Sequence, residues 1–165
     1  MNKSSIRPID RSEIPHCVRL IRESFRTVAD EFGFTQKNAP RFTAFSTTEE
    51  RLYWHADKEH RPMYGYFQDG DVVGYYSLLP DPSGKCELNQ LCVHPSCRHR
   101  GIGKDLLLHA INTAVELGCT CLHIGIVEEN RTLRLWYERF GFIHTGVKKF
   151  DFFPFTCGYL ERELH

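Results

Sequence analysis

Residues 98–104, Arg98-His99-Arg100-Gly101-Ile102-Gly103-Lys104, decide how this chain is read. Upstream lies the strand-like run Lys85-Cys86-Glu87-Leu88-Asn89-Gln90-Leu91-Cys92-Val93. Pro95 then prevents its continuation into a helix, because proline fixes φ and carries no amide hydrogen. Downstream, Leu106, Leu107, Ala110, Ile111, Ala114 and Val115 recur at the i, i+3, i+4, i+7 spacing of one helix face, and Gly118 follows as a stop. The glycines therefore fall at a strand-to-helix turn. There the first helical amides lack intrahelical partners and the helix dipole turns its positive end outward, so backbone alone can hold an anion. Gly101 and Gly103 remove the Cβ that would keep a ligand at a distance, and Arg98, Arg100 and Lys104 add positive charge. The stretch reads as a loop for a pyrophosphate; a surface loop with ordinary basic residues is the alternative that the same residues leave open.

Two other phosphate loops fail on particular residues. A P-loop needs Ser or Thr after Gly-Lys to hold magnesium, and Asp105 follows Gly103-Lys104. A dinucleotide fingerprint needs a third small residue where Leu106 stands, and it belongs to the first strand-helix unit of a chain, which this is not.

The rest of the chain fits one domain, residues 1–165, with 41% hydrophobic and 25% charged side chains. Basic and acidic residues number 21 each, so no global field draws the chain to nucleic acid or to an anionic membrane. No apolar run approaches a membrane span, and no internal repeat is visible. Seven cysteines, odd in number and without C-x-x-C spacing, together with no signal-peptide pattern before Ile6, lead us to expect a reduced, cytoplasmic protein. Neither these cysteines nor the nine scattered histidines single out a metal site, and we expect none.

Periodicity and turn signals predict a strand over Ser4 to Ile9 and a helix over Ser12 to Arg26. A loop or broken helix follows over Phe32 to Phe45, then a helix over Thr48 to Lys58. Strands are expected at Met63 to Gln68 and Val72 to Leu79 around the hairpin signal Asp69-Gly70-Asp71, and at Cys121 to Val127. A short helix over Thr132 to Phe140 and strands near Phe142 to Phe150 and Thr156 to Leu164 complete an α/β (α+β) chain. It has a mixed sheet of about seven strands and about four helices.

The central motif resembles the acyl-CoA signature of the GNAT superfamily of N-acetyltransferases: Arg or Gln, two residues, Gly, one residue, then Gly or Ala. Arg98, Gly101 and Gly103 meet it. The strand with Leu91 and Val93, the helix after it, the Cys121 strand and the segment Asn130 to Phe142, ending Trp136-Tyr137-Glu138-Arg139-Phe140-Gly141-Phe142, keep the family's order across roughly residues 60 to 165. The resemblance implies the acyl-CoA N-acyltransferase fold, with a mostly antiparallel sheet splayed between the fourth and fifth strands for the pantetheine arm. It further implies acetyl-CoA as co-substrate, an amine acceptor and, as in many relatives, a homodimer.

Direct acetyl transfer needs a neutral amine, stabilisation of an oxyanion and a proton for the departing thiolate. The resemblance assigns the base to Glu87, the oxyanion donor to the backbone of Leu91 in a strand bulge, and the acid to Tyr137. Pattern alone makes Glu87 a solvated strand carboxylate beside Lys85 and Asn89, makes Leu91 and Val93 core, and makes Tyr137 an aromatic on the helix face of Leu133 and Phe140. The backbone of Leu91, Cys92 and Val93 would border pantetheine. Arg98, His99, Arg100, Gly101, Ile102, Gly103 and Lys104 would hold the pyrophosphate. Asn130 is an N-cap that, by resemblance, also reaches the coenzyme.

The acceptor is expected to be a small amine or amino acid, with a protein N-terminus or lysine, or a non-catalytic acyl-CoA sensor, as alternatives. By resemblance it enters between segments 27–54 and 148–156. Phe32, Phe34, Phe42, Phe45, Phe150, Phe152, Phe153 and Phe155, with Asp30, Glu31 and Asp151, either line that entrance or pack a loop-rich end of the domain.

Overall fold

A computed structural model describes residues 3–165. The strands are β1 (Ser4–Pro8), β2 (Met63–Gln68), β3 (Asp71–Pro80), β4 (Lys85–Val93), β5 (Cys121–Val127), β6 (Ile143–Lys149) and β7 (Thr156–Glu163). The helices are α1 (Ile14–Phe32), α2 (Thr43–Ser46), α3 (Glu49–Asp57), α4 (Ile102–Glu116) and α5 (Arg131–Glu138). All seven strands join one sheet in the order β1-β2-β3-β4-β5-β7-β6, and every pairing is antiparallel except β4 with β5.

Alternating burial assigns each sheet face to its helices. Tyr76, Leu78, Cys86, Leu88, Leu122, Ile124 and Leu160 turn to α4, where Leu106, Leu107, Ala110 and Ala114 form the fully buried stripe. Burying each leucine of that stripe contributes roughly 1.5–3 kcal/mol. The opposite face packs Met63, Tyr75 and Cys92 against Ile14, Cys17, Val18 and Ile21 of α1 and Leu52 of α3. Thr48 caps α3 by accepting from Arg51 N at 3.1 Å.

One expectation changes, and one open alternative closes. The first helix does not end at Arg26, because Phe25, Ala29 and Phe32 continue its apolar stripe; Gly33, at φ +74°, stops it. The segment taken as loop or broken helix contains α2, and its aromatics are chiefly core. Phe34, Phe42 and Phe155 are buried with Ala29, Ala39, Ala44 and Val127 in a third cluster. Phe34 lies 4.8 Å, ring to ring, from Phe155, and Phe153 lies 4.5 Å from it. Asp30, Glu31 and Asp151 are exposed around the cluster, and Asp30 pairs with Arg26 at 3.1 Å. The alternative of a packed end, rather than an aromatic entrance, describes most of these rings. Phe152, 41% exposed beneath Arg41, is the exception.

Candidate active site

Two irregularities open the sheet at its centre. The parallel β4–β5 ladder has three pairs, Lys85 with Cys121, Cys86 with Leu122 and Glu87 with His123, and then stops. Both strands run on, β4 against β3 and β5 against β7, so they diverge beyond Glu87. On β4, Tyr75 opposes Cys92 while Ser77 opposes Asn89, which leaves Tyr76 alone facing both Gln90 and Leu91. That is a bulge, and Gln90 takes a left-handed φ of +58° to make it.

The extra residue reverses the strand's faces. Cys86 and Leu88 point to α4 before the bulge, Leu91 and Val93 after it, and Cys92 turns to α1. Glu87 and Asn89 consequently keep a polar face while Leu91, two residues on, packs in the α4 core. Asn89, with its amide oriented as its neighbours require, donates from Nδ2 to Glu87 Oε1 at 2.9 Å. Glu87 also lies close enough to Tyr159 of β7 to raise that phenol's pKa, although burial raises it more.

At the end of β4, His94 begins a turn in which Ser96 and His94 bond each other, and residues 98–101 lead into α4. His99 at φ +64° and Gly101 at φ +84° are both left-handed, which curls the loop as it enters α4. The first intrahelical bond of α4 runs from Asp105 N to Gly101 O at 3.0 Å, so Ile102, Gly103 and Lys104 have no intrahelical acceptor. A Cβ on Gly103 would sit 3.7 Å from Val93 and 3.6 Å from Trp136, between the end of β4 and α5. Arg100 and Lys104 are exposed beside this curl.

Two residues expected at the coenzyme have other engagements. The Arg98 guanidinium points to α1, donating from Nη2 to Ser24 O at 2.9 Å, from Nη1 to Thr27 Oγ1 at 3.0 Å and from Nε to Val93 O at 3.2 Å. Burial lowers its pKa, and its side chain ties the loop to the helix rather than facing an anion. The Val93 carbonyl accepts that bond and one from Ser24 Oγ at 3.2 Å, so it is not offered to a ligand.

Asn130 caps α5, accepting from Leu133 N at 3.2 Å. Tyr137 is 6% exposed in the α4 core, its ring edge-on to Trp136 and Phe142. Burial, and more weakly Cys92, push its phenol well above the ordinary value, which keeps it protonated. Glu87 thus lies at the last rung of the β4–β5 ladder, and Tyr137 in the core on the α4 face. Arg61, which also reaches Asn89, carries no sequence signal because it lies alone between α3 and β2.

Among the described residues no group of His, Cys, Asp and Glu could hold a metal ion, and no helix is long and apolar enough to cross a membrane. A model of the acetyltransferase (GNAT) family matches residues 23–142. An uncharacterized N-acetyltransferase from Lactobacillus delbrueckii subsp. lactis is 27% identical over 162 residues, covering 91% of this chain and 87% of that protein. The spermine/spermidine N(1)-acetyltransferase of Bacillus subtilis (strain 168) is 31% identical over 101 residues, 56% of this chain and 65% of that one. The crystal structure of PaiA N-acetyltransferase from Thermoplasma acidophilum, in complex with coenzyme A, shares the fold with a TM-score of 0.80 at 20% identity, covering 98% and 99% of the two chains. With the matched segment running from within α1 to the residue before β6, the chain belongs to the acetyltransferase (GNAT) family and is an N-acetyltransferase.

Proposed function

We propose that this chain moves the acetyl group of acetyl-CoA directly onto a primary amine of a small molecule or amino acid. The observation that carries the reading is the meeting, at one point of β4, of the Glu87 carboxylate, the end of the β4–β5 ladder and the Gln90 bulge. Glu87 takes a proton from the acceptor ammonium, directly or through water. The freed nitrogen attacks the thioester carbonyl and the Leu91 amide donates to its oxygen; a C–N bond forms, the nitrogen gives up its remaining extra proton to water, and the C–S bond breaks. Tyr137 gives its proton to the departing sulfur and regains one from solvent.

The backbone of Leu91, Cys92 and Val93 borders the pantetheine arm. His99, Arg100, Gly101, Ile102, Gly103 and Lys104 hold the pyrophosphate by amides and charge, while Arg98 fixes the loop. Asn130 starts α5 and faces the coenzyme in this reading. Residues 1–165 act as one acetyltransferase domain, and the free thiols suit a reducing compartment, which we take to be the cytoplasm. That a polyamine acetyltransferase is among the relatives supports the small-amine class.

The test is acetyl-CoA consumption, followed by mass spectrometry, with polyamines, amino acids, aromatic amines and peptides. Turnover of a free amine supports the reading. Turnover of peptides alone moves the acceptor to protein N-termini or lysines, and retained coenzyme without turnover of any acceptor makes the chain an acyl-CoA-binding module.

A further inference from the structure

We propose that Arg61 and Asn89 form a positioning chain that holds the Glu87 carboxylate at the opening of the β4–β5 gap. The inference rests on Glu87 as base and adds to it two residues that touch neither acetyl-CoA nor the amine.

Arg61 follows α3, its backbone amide tied to His55 O at 3.0 Å and its side chain 11% exposed. Glu59 fixes it from one side, with Oε1 at 3.2 Å from Nε and 3.1 Å from Nη2. Its Nη1 then lies 3.1 Å from the Asn89 side-chain oxygen. A guanidinium has donors only, so the carboxamide must turn its oxygen to Arg61. That leaves only its NH2 for Glu87, and Nδ2 lies 2.9 Å from Oε1. Glu87, which only accepts, asks for the same orientation from the other side, so Arg61 and Glu87 together hold the amide in the one of its two orientations that offers Glu87 a donor. A charge-assisted bond of this kind fixes the carboxylate's direction as well as its distance. Glu87 pairs with His123 at the last rung before the strands part, so the direction its carboxylate takes decides whether it faces the opening.

The test compares Glu87→Gln, Asn89→Leu, Arg61→Met, Arg61→Lys and the Asn89→Leu/Glu87→Gln double variant. The assay uses acetyl-CoA and the amine of the panel above that turns over fastest. Asn89→Leu probes the link without disturbing the Glu59–Arg61 pair, should Arg61→Met fold poorly. We expect kcat to fall roughly ten- to hundredfold in Asn89→Leu and Arg61→Met with KM for acetyl-CoA unchanged. Arg61→Lys, which keeps a donor, recovers most of the loss. The double variant is no slower than Glu87→Gln alone, because Asn89 acts through Glu87.

An acceptor-independent readout is the Asn89 side-chain amide in 15N spectra, identified by its loss in Asn89→Leu. One of its protons lies downfield in the parent and moves upfield in both Glu87→Gln and Arg61→Met. The positioning chain is overturned, with the base left standing, if Glu87→Gln is slow while Asn89→Leu keeps parent turnover. Additive losses in the double variant, an Arg61→Lys as slow as Arg61→Met, or an unmoved amide proton in Arg61→Met overturn it equally. Full turnover by Glu87→Gln removes the base itself and the chain with it.

Discussion

Glu87 and Tyr137 are the base and the acid of the proposed reaction, and their losses should differ in kind. Glu87→Gln keeps shape and hydrogen bonding but cannot take a proton, so kcat should fall by about 10²–10⁴ with acetyl-CoA affinity unchanged in calorimetry. Tyr137→Phe keeps the ring that packs on Trp136 and Phe142, so its melting temperature should stay near the parent's while turnover drops by about 10² or more. A Tyr137→Phe variant with full turnover would remove the acid from the scheme. His55 sets a pH prediction. Burial, aided by Arg61, depresses its pKa to about 4, while Glu59 at 3.8 Å opposes the shift only in part. A histidine depressed in the folded state contributes stability that is full above its unfolded pKa and lost as pH falls toward the folded one. Unfolding free energy should thus decline between about pH 6.5 and 4, by at most about 1.4 kcal/mol per pH unit from this residue. Denaturant titrations of His55→Phe should show a shallower decline. At this scale the sequence marks Glu87, because strand alternation sets it apart from Cys86 and Leu88. It does not mark Arg61 or His55, whose meaning comes from partners far away in the chain.

Elements were the most legible level. Strand β4 was expected over Lys85 to Val93 and occupies those residues, because apolar alternation and Pro95 define both of its ends. The residues themselves do not mark the bulge inside it, since a residue that takes a left-handed φ in a strand leaves no composition signal when it is glutamine; only the family resemblance placed a bulge at Leu91. Its effect is large: strict alternation from Glu87 would put Leu91 and Val93 on the polar face, and one inserted residue moves them into the α4 core. The extent of α1 was missed because Glu23, Arg26 and Asp30, all exposed, interrupt the apolar count on its outer side. Arg98 supplies an element-scale prediction. Its three bonds join the cradle to α1, so Arg98→Leu should destabilise the fold by about 2–4 kcal/mol in denaturant titration, as well as weakening acetyl-CoA. An unchanged unfolding midpoint would make Arg98 a ligand residue instead. Gly103→Val should act the other way. Its Cβ meets Val93 and Trp136 at ordinary contact distances, so the fold survives while acetyl-CoA binding weakens by more than about tenfold in calorimetry.

At the scale of the molecule, three packed clusters hold the sheet, and the third explains the aromatic richness of segments that periodicity left ambiguous. Rings from the α1–α2 segment and from the β6–β7 turn meet there, so contact partners more than a hundred residues apart decide a role that local pattern could not. Phe155→Ala should cost about 3–5 kcal/mol by calorimetric unfolding, because Phe34, Phe42 and Phe153 all lose their neighbour at once. The splayed ladder has a consequence of its own. Strands β1–β4 and β5–β7 are two banks of one sheet, stitched by three residue pairs and open above them. A seam of this kind concentrates compliance, so deuterium should enter the amides of residues 88–93 and 124–127 that face the opening sooner than those bound to β3 or β7. An amide-bearing ligand laid along the opening supplies the missing rungs, and its arrival should slow that exchange on both banks together, turning a hinged pair of sheets into one plate.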